Sequence, residues 1–421
     1  MLSIRFTVYR ELFILHKTDF YTWITAVIEK YSKNFKLKQM KNLKFFVVLF
    51  ISAIVVSCSK DDETLTHETT NATKSKILGK AKKADVIDGN IVFPDSNFKK
   101  ALLEGYVDTN NDNEISIGEA KNVTSLYLDF KNISNLSGIE YFVNLTDLSC
   151  NYNQLTSLSV YENVKLNSLS CSGNQFSTLD VSKNVKLKDL DCSNNQLITL
   201  DISKNIVLKS LNCGYNKITA LDVNQNTALT GLFCQDNQIT NLDVSKRTRL
   251  GYLNCGRNKI TTLNLNRNTS LHYLICSDNP LKTLDVSKNT ALNVLSCSNN
   301  QLTTLDVTKN TALGTLHCDG NQLRLLNVNK NTALKGLYCY NNKITTLHLA
   351  KNNNLRYLKC NNNKLRYLNI KNGTNDRLIR AELQEQDNPY FSCIQVDDPT
   401  ASYLDKWKKD ATVSYSSACR R

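Results

Sequence analysis

Residues 292–312 read LNVLSCSNNQLTTLDVTKNTA, and this stretch decides the fold because its frame recurs every 21 residues on both sides. Cysteine stands at Cys150, Cys171, Cys192, Cys213, Cys234, Cys255, Cys276, Cys297, Cys318, Cys339 and Cys360 without a slip. Leucine precedes each by five and by two residues, from Leu145 and Leu148 to Leu355 and Leu358, and asparagine follows each by three, from Asn153 to Asn363. A further apolar residue follows at plus five, a leucine at plus eight, and Val, Ile or Leu at plus ten. On a short strand, residues two apart share a face, so each cysteine and the leucine two before it turn inward together. The asparagine then turns the chain, its amide placed to bond backbone groups of adjacent turns. A coil with apolar positions at fixed intervals buries them only by stacking on its neighbours.

In these positions the chain resembles the leucine-rich repeat family, specifically bacterial repeats of this same length with cysteine in place of the last leucine of the strand. The resemblance covers residues 123–375. It implies a leucine-rich repeat solenoid with a curved parallel β-sheet of short strands, about 12 turns long. A small α-helical N-terminal cap is expected at 89–122 and an irregular C-terminal cap at 376–421. The usual work of the family is to bind a partner on the strand-lined face.

Composition adds little to this. The chain of 421 residues carries a formal charge of +14, but from Cys58 onward 43 basic residues face 35 acidic ones, a balance of +8. No basic stripe with interleaved aromatics appears, so the excess reads as ordinary solubility and no nucleic-acid partner is expected. Eleven of the fourteen cysteines occupy the inward column. One per turn lacks the paired spacing of zinc sites, although stacked strands set successive thiols about 5 Å apart. Buried, reduced packing thiols are the expectation.

Residues 1–39 read as an upstream extension. Met40 opens an export sequence at 40–57: Lys41 and Lys44, an apolar run from Phe45 to Val56, then Val55, Val56 and Ser57 before Cys58. The run is too short for a comfortable membrane span. It resembles a bacterial lipoprotein signal, which implies cleavage before Cys58 and lipidation of that residue. Ser59, Lys60, Asp61, Asp62 and Glu63 resemble the acidic tag that sends some Gram-negative lipoproteins to the outer face of the outer membrane. Residues 58–88 read as a flexible tether.

From Phe93 an amphipathic helix is expected, with Pro94, Asp95 and Ser96 ahead of Phe98, Ala101, Leu102, Leu103 and Tyr106. The stretch DTNNDNEISIGE follows. Asp108, Asn110, Asp112, Glu114, Ser116 and Glu119 occupy positions 1, 3, 5, 7, 9 and 12 of the helix-loop-helix calcium pattern, so a structural calcium ion is expected there. The departure is Asn113, where the pattern wants glycine; asparagine tolerates the left-handed backbone required. Val123, Leu126, Leu128, Ile133, Leu136, Ile139 and Phe142 fill the apolar slots of a variant first turn, which covers the open end of the stack.

Positions three before, one before and one after each cysteine are expected to point out of the strand-lined face. Early turns place small polar residues there: Ser149, Ser168, Ser170, Ser172, Ser193 and Ser210. Later, Phe233, Tyr252, Tyr273 and Ile275 cluster, and then His317, Tyr338, Tyr340 and Tyr357. Exposed aromatics on consecutive turns suit recognition of a protein or a glycan. Elsewhere, Asp180, Asp201, Asp222, Asp243, Asp285 and Asp306 form a column nine after the cysteine, followed three residues on by Lys183, Lys204, Lys246, Lys288, Lys309 and Lys330. These read as a solvated outer wall. Cys393 and Cys419 lie outside the repeat frame and form a disulfide in an exported protein, or remain free thiols. His272, His317 and His348 fall in different columns, and no serine-histidine-acid grouping or phosphate loop is present, so an enzyme is not expected. A lipid-anchored surface protein with an adhesion or recognition role is the favoured reading, and a structural envelope protein without a specific ligand is the alternative.

Overall fold

The computed structural model describes residues 83–384 and 391–419. The export sequence, Cys58 and most of the tether lie outside the described residues. Each rung contributes a strand of three residues that ends just before the cysteine, as in Ser168–Ser170 and Val294–Ser296. Successive strands pair in parallel with leucine opposite leucine: Leu148 faces Leu169, and Leu169 faces Leu190. One slip of register would throw every leucine to the wrong face, so the repeat period and the pairing enforce each other. The result is a parallel sheet of 13 strands, from Ser125–Tyr127 to Arg380–Glu382.

Inside, all eleven repeat cysteines are at 0% exposure, and the leucines two and five before them are at 2% or less. Burial in an apolar column raises the Cys255 thiol to about 12 and pushes the thiols of the other rungs from Cys150 to Cys318 up as well.

Two asparagine ladders hold the rungs together. In the first, Asn174 Nδ2 donates to the carbonyl of Cys150 in the preceding rung (3.0 Å) and of Cys171 in its own (3.1 Å), while its Oδ1 accepts from the amide of Leu155 (3.1 Å). The second stands thirteen after the cysteine and was not anticipated from the sequence. Asn184 Nδ2, for example, donates to the carbonyls of Val160 and Asn163, both at 3.0 Å. Asn163, Asn184, Asn205, Asn226, Asn268, Asn289, Asn310, Asn331 and Asn352 are all fully buried there. Arg247 interrupts this ladder. It too is fully buried, with one guanidinium nitrogen donating to the Val223 carbonyl and Nε without a hydrogen-bond partner.

The aspartates nine after the cysteine have a local role that the solvated-wall reading missed. Each Oδ1 accepts from the amide two residues on, as from Ser182 to Asp180 and from Thr308 to Asp306, both at 2.8 Å. The amide and hydroxyl of that neighbour hold the Asp201, Asp243, Asp285 and Asp306 carboxyls below the ordinary carboxylate range.

At the N-terminal end, helix α1 (Ser96–Glu104) is capped by Asp95, whose Oδ1 accepts from the amides of Asn97 and Phe98. Its Oδ2 accepts from the amides of Ser134 and Asn135 and the Ser134 hydroxyl, which ties the helix to the first rung. Phe98, Ala101 and Leu102 are buried, but Tyr106 lies past the helix and is 89% exposed, so it is no part of the buried face.

The C-terminal end departs from the sequence reading. The register is not lost after Gly373: Arg380–Glu382 pairs in parallel with Tyr357–Lys359, with Ala381 opposite Leu358. Ala381 and Leu383 take the leucine and cysteine slots, both essentially buried, although the chain from Leu358 to Ala381 is longer than the repeat from Leu337 to Leu358. A bridge from Glu382 to Lys408 begins a further rung, which brings the solenoid to about fourteen turns rather than twelve. The expected irregular cap is partly regular, because Thr346–His348, Tyr367–Asn369, Cys393–Gln395 and Ser414–Ser416 form a second parallel sheet. Cys393 and Cys419 form a disulfide in this segment.

Candidate recognition surface

Alternation places residues three and one before each cysteine on the outer side of the 13-stranded sheet, and register aligns them in two files. The first runs Gly231, Tyr252, Tyr273, Val294, Thr315, Gly336, Tyr357. The second runs Asn212, Phe233, Asn254, Ile275, Ser296, His317, Tyr338, Lys359. Seven of the eight expected face residues fall in these files. Tyr252 and Tyr273, neighbours in the first, stack at 5.0 Å between ring centroids and 14° between planes. His317 and Tyr338, neighbours in the second, stack at 4.2 Å and 3°. Phe233 and Ile275 are separated by Asn254, which is 5% exposed. Glycine two residues before an aromatic makes room for it: a Cβ on Gly336 would stand 3.1 Å from the Tyr338 ring, and one on Gly231 3.3 Å from Phe233.

The third set, one after the cysteine, does not stand free as expected. Ser172, Ser193, Gln235, Ser298 and Asp319 there are all buried. Tyr340 belongs to this set. Burial, together with a hydrogen bond to nearby Asp319, pushes its phenol well above the usual tyrosine range. Asp319 is 2% exposed and also accepts from the Ser298 hydroxyl at 2.8 Å. Tyr340 is therefore a link between rungs, and the outward surface consists of Phe233, Tyr252, Tyr273, Ile275, His317, Tyr338 and Tyr357, of which Tyr252 and Tyr357 are exposed and the others half-buried.

Charge on the face is segregated. Asp147, Asp189 and Asp191 lie on the early strands, where burial raises the carboxyls of Asp189 and Asp191 above their usual range. Lys359 and Arg380 lie on the last two strands, with Glu382 within 3.3 Å of the first and 2.6 Å of the second.

The residue two after the cysteine was also overlooked. It holds a positive φ in rung after rung, as Asn194 (53°), Asp236 (54°), Asp278 (57°) and Asn299 (52°). Asn, Asp and Gly suit that conformation, and their recurrence at this position was the available signal. Tyr215 (55°) and Arg257 (52°) occupy it against preference, beside the first aromatic cluster. Arg257 donates to Asp236 at 3.3 Å and lies 3.8 Å from Asp278. Near the N-terminus Phe130 and Tyr152 occupy the same position and stack at 4.7 Å.

In the expected calcium loop, Asn113 adopts φ 64°, the conformation glycine would supply. Asp108 accepts from the amides of Asn111 and Asn113, Asp112 from the Glu114 amide and the Asn110 side chain, and Glu114 from Lys99 at 2.6 Å. Ser116 and Glu119 form the capping box of helix α2 (Ile117–Asn122). Both oxygens of Glu119 are engaged, one by the amide and hydroxyl of Thr109 and one by those of Ser116. Among the described residues no three His, Cys, Asp or Glu side chains are grouped as a metal ion would need.

Burial alone would raise the Glu119 carboxyl, but the donors of Ser116 and Thr109 together bring it down to about 2 from an ordinary 4.5. The folded cap thus binds fewer protons than the unfolded chain. Its stabilisation is complete above pH about 4.5 and is lost as pH falls towards about 2. Protection from amide exchange in residues 109–122, measured against the unfolded chain at the same pH, is expected to fall over that window in the native chain and to lose this dependence in Glu119→Gln.

Two cavities lie away from the sheet face. One lies between Lys83, Glu140, Tyr161 and Glu162, and a shallow one is lined by Thr262, Asn264, Thr283 and Asp285. No protein-family model matches the sequence, and no curated protein does. Solved structures do resemble the fold. An internalin from Listeria monocytogenes is 25% identical, with a TM-score of 0.64, over 76% of this chain and 95% of its own. A leucine-rich repeat protein from Leptospira interrogans is 24% identical, with a TM-score of 0.54, over 69% and 84%. The leucine-rich repeat ectodomain of a plant membrane receptor kinase from Arabidopsis thaliana, solved in complex with Casparian strip integrity factor 2, is 21% identical, with a TM-score of 0.52, over 65% and 39%. Such solenoids are typically binding scaffolds rather than enzymes. With thirteen parallel strands in register and this likeness, the chain has the leucine-rich repeat fold.

Proposed function

We propose that this protein is displayed on the cell surface by a lipid on Cys58 and recognises a protein partner with its sheet face. The observation that carries the reading is the pair of stacked aromatic couples, Tyr252 with Tyr273 and His317 with Tyr338. Rings fixed by their neighbours lose little freedom on binding, so they suit the centre of an interface. In each couple one face of each ring is covered by the other ring, which fixes both and leaves edges, polar atoms and the outer faces for a partner. The Arabidopsis ectodomain of the same fold was solved with a bound factor, which supports a protein partner. The sequence at 40–63 supports anchoring on the outward side of a Gram-negative outer membrane.

The test is a screen of the full chain against arrays of extracellular-matrix proteins and glycans. Protein hits are expected to weaken at least about tenfold in the Tyr252→Ala, Tyr273→Ala, Tyr338→Ala triple variant, the loss of one or more hot-spot side chains. Tyr340 is left intact because it bonds Asp319. Binding that survives in the triple variant, or hits confined to glycans, would overturn the reading.

We also propose that the loop at 108–119 takes calcium with a structural role. Its oxygen donors suit a hard cation, and Glu119 would exchange its capping hydrogen bonds for the ion. Calorimetry on the full chain is expected to show heat of binding by about millimolar calcium, the weak end of such loops, and none in Asp108→Ala. A native chain without that heat would refute it.

A further inference from the structure

The wall opposite the sheet carries two files of opposite charge. Asp180, Asp201, Asp243, Asp285 and Asp306 stand nine after a cysteine, and each has a lysine three residues later on the same rung. All ten side chains are exposed. Because the rungs stack in register, each file advances by one strand spacing, about 4.8 Å. No ion pair within 4 Å among the described residues joins one file to the other. The aspartates are oriented by the residue two on, as Asp243 is by the Ser245 amide at 2.8 Å, and remain exposed.

Two such files admit one symmetric solution. Lay a second copy against this wall and turn it by half a revolution about an axis that runs along the stack, midway between the files. The lysine file of each copy then faces the aspartate file of the other, rung for rung. Turning the copy about an axis across the stack instead sets lysine on lysine. We propose that this wall is the interface of a parallel, two-fold homodimer held by rung-matched Asp–Lys pairs. Five rungs carry both signs, so the symmetric contact makes ten pairs. A sliding of one rung keeps most signs matched but turns the two-fold into a screw, so only the in-register form closes as a symmetric dimer. A linear polyanion fits worse, because the aspartate file repels it along its whole length. The pairing leaves both sheet faces outward, so one dimer offers two recognition surfaces.

The test uses sedimentation of the full chain. A dimer is expected at about 20 mM salt and a monomer at about 0.5 M, where screening acts over a few ångströms. In a mixture of isotopically light and heavy chains, a zero-length carbodiimide should join peptides carrying Asp180, Asp201, Asp243, Asp285 or Asp306 to lysine-file peptides of the other mass. The decisive variants neutralise one file each. Changing the six aspartates, Asp222 included, to asparagine keeps the turn, since Asn264 and Asn327 already accept the same amide bond from Asn266 and Asn329 at 3.1 Å. Changing the lysines, Lys330 included, and Arg267 to glutamine neutralises the other file. Neither variant should self-associate, yet their equimolar mixture should, because a purely cationic wall then faces a purely anionic one. A native chain that stays monomeric at low salt would overturn the proposal, as would an aspartate-free chain that still dimerises.

Discussion

Replacing Asn258 with alanine is expected to remove about 3–5 kcal/mol of stability, the sum of two or more buried backbone groups left without partners. Its Nδ2 donates to the carbonyls of Cys234 (3.0 Å), Cys255 (3.1 Å) and Gly256 (3.1 Å), and its Oδ1 accepts from the Ile239 amide (2.9 Å). The side chain is 8% exposed, so water cannot fully replace these bonds. The Ile239 amide and the Cys234 carbonyl both belong to the preceding rung, so the loss uncouples neighbours as well as weakening one turn. In a stacked array the neighbour terms carry much of the stability. Urea denaturation of native and variant chains measures the effect. A shift worth less than about 1 kcal/mol, the range of an ordinary exposed substitution, would show that the ladder is not what binds the rungs.

Arg247→Asn is expected to act in the opposite direction, raising stability by about 2–4 kcal/mol through relief of a buried charge. The arginine occupies a slot that asparagine fills on nine other rungs, at 0% exposure and with Nε lacking a hydrogen-bond partner. Burial pulls its guanidinium below the usual arginine range, although Asp243 and Asp222 oppose this. Asparagine at the position would donate to the Val223 and Asn226 carbonyls, as Asn268 does to those of Val244 and Arg247, both at 2.9 Å. The surrounding rungs already pack around asparagine, so no cavity is expected. Thermal unfolding should shift upward; a lower midpoint would mean that Arg247 contributes an interaction not visible in the folded rung.

Much of this was legible because a strict period converts residue identity into position. The inward cysteines, the first asparagine ladder and the outward aromatic files all follow from alternation once one strand is placed. The second ladder, from Asn163 to Asn352, is equally periodic, but a polar residue between two turns reads as loop until the carbonyls it spans are in view. Arg380–Glu382 was missed because its rung is longer than the others and puts Ala381 and Leu383 where leucine and cysteine stood before. Tyr340 was misplaced for a different reason. Its contact is with Asp319 one rung away, and no single repeat contains both.

The file of sulfurs gives the molecule a means of self-inspection. Each thiol is sealed within one rung, and burial suppresses its ionisation, as at Cys255, so an alkylating reagent or oxidant reacts only during the moments when that rung comes apart. Eleven cysteines at equal intervals thus form a graduated scale along the stack. The labelling rate at each gives the frequency of local opening from one end of the protein to the other, and the oxidative lifetime of the whole is set by its loosest rung.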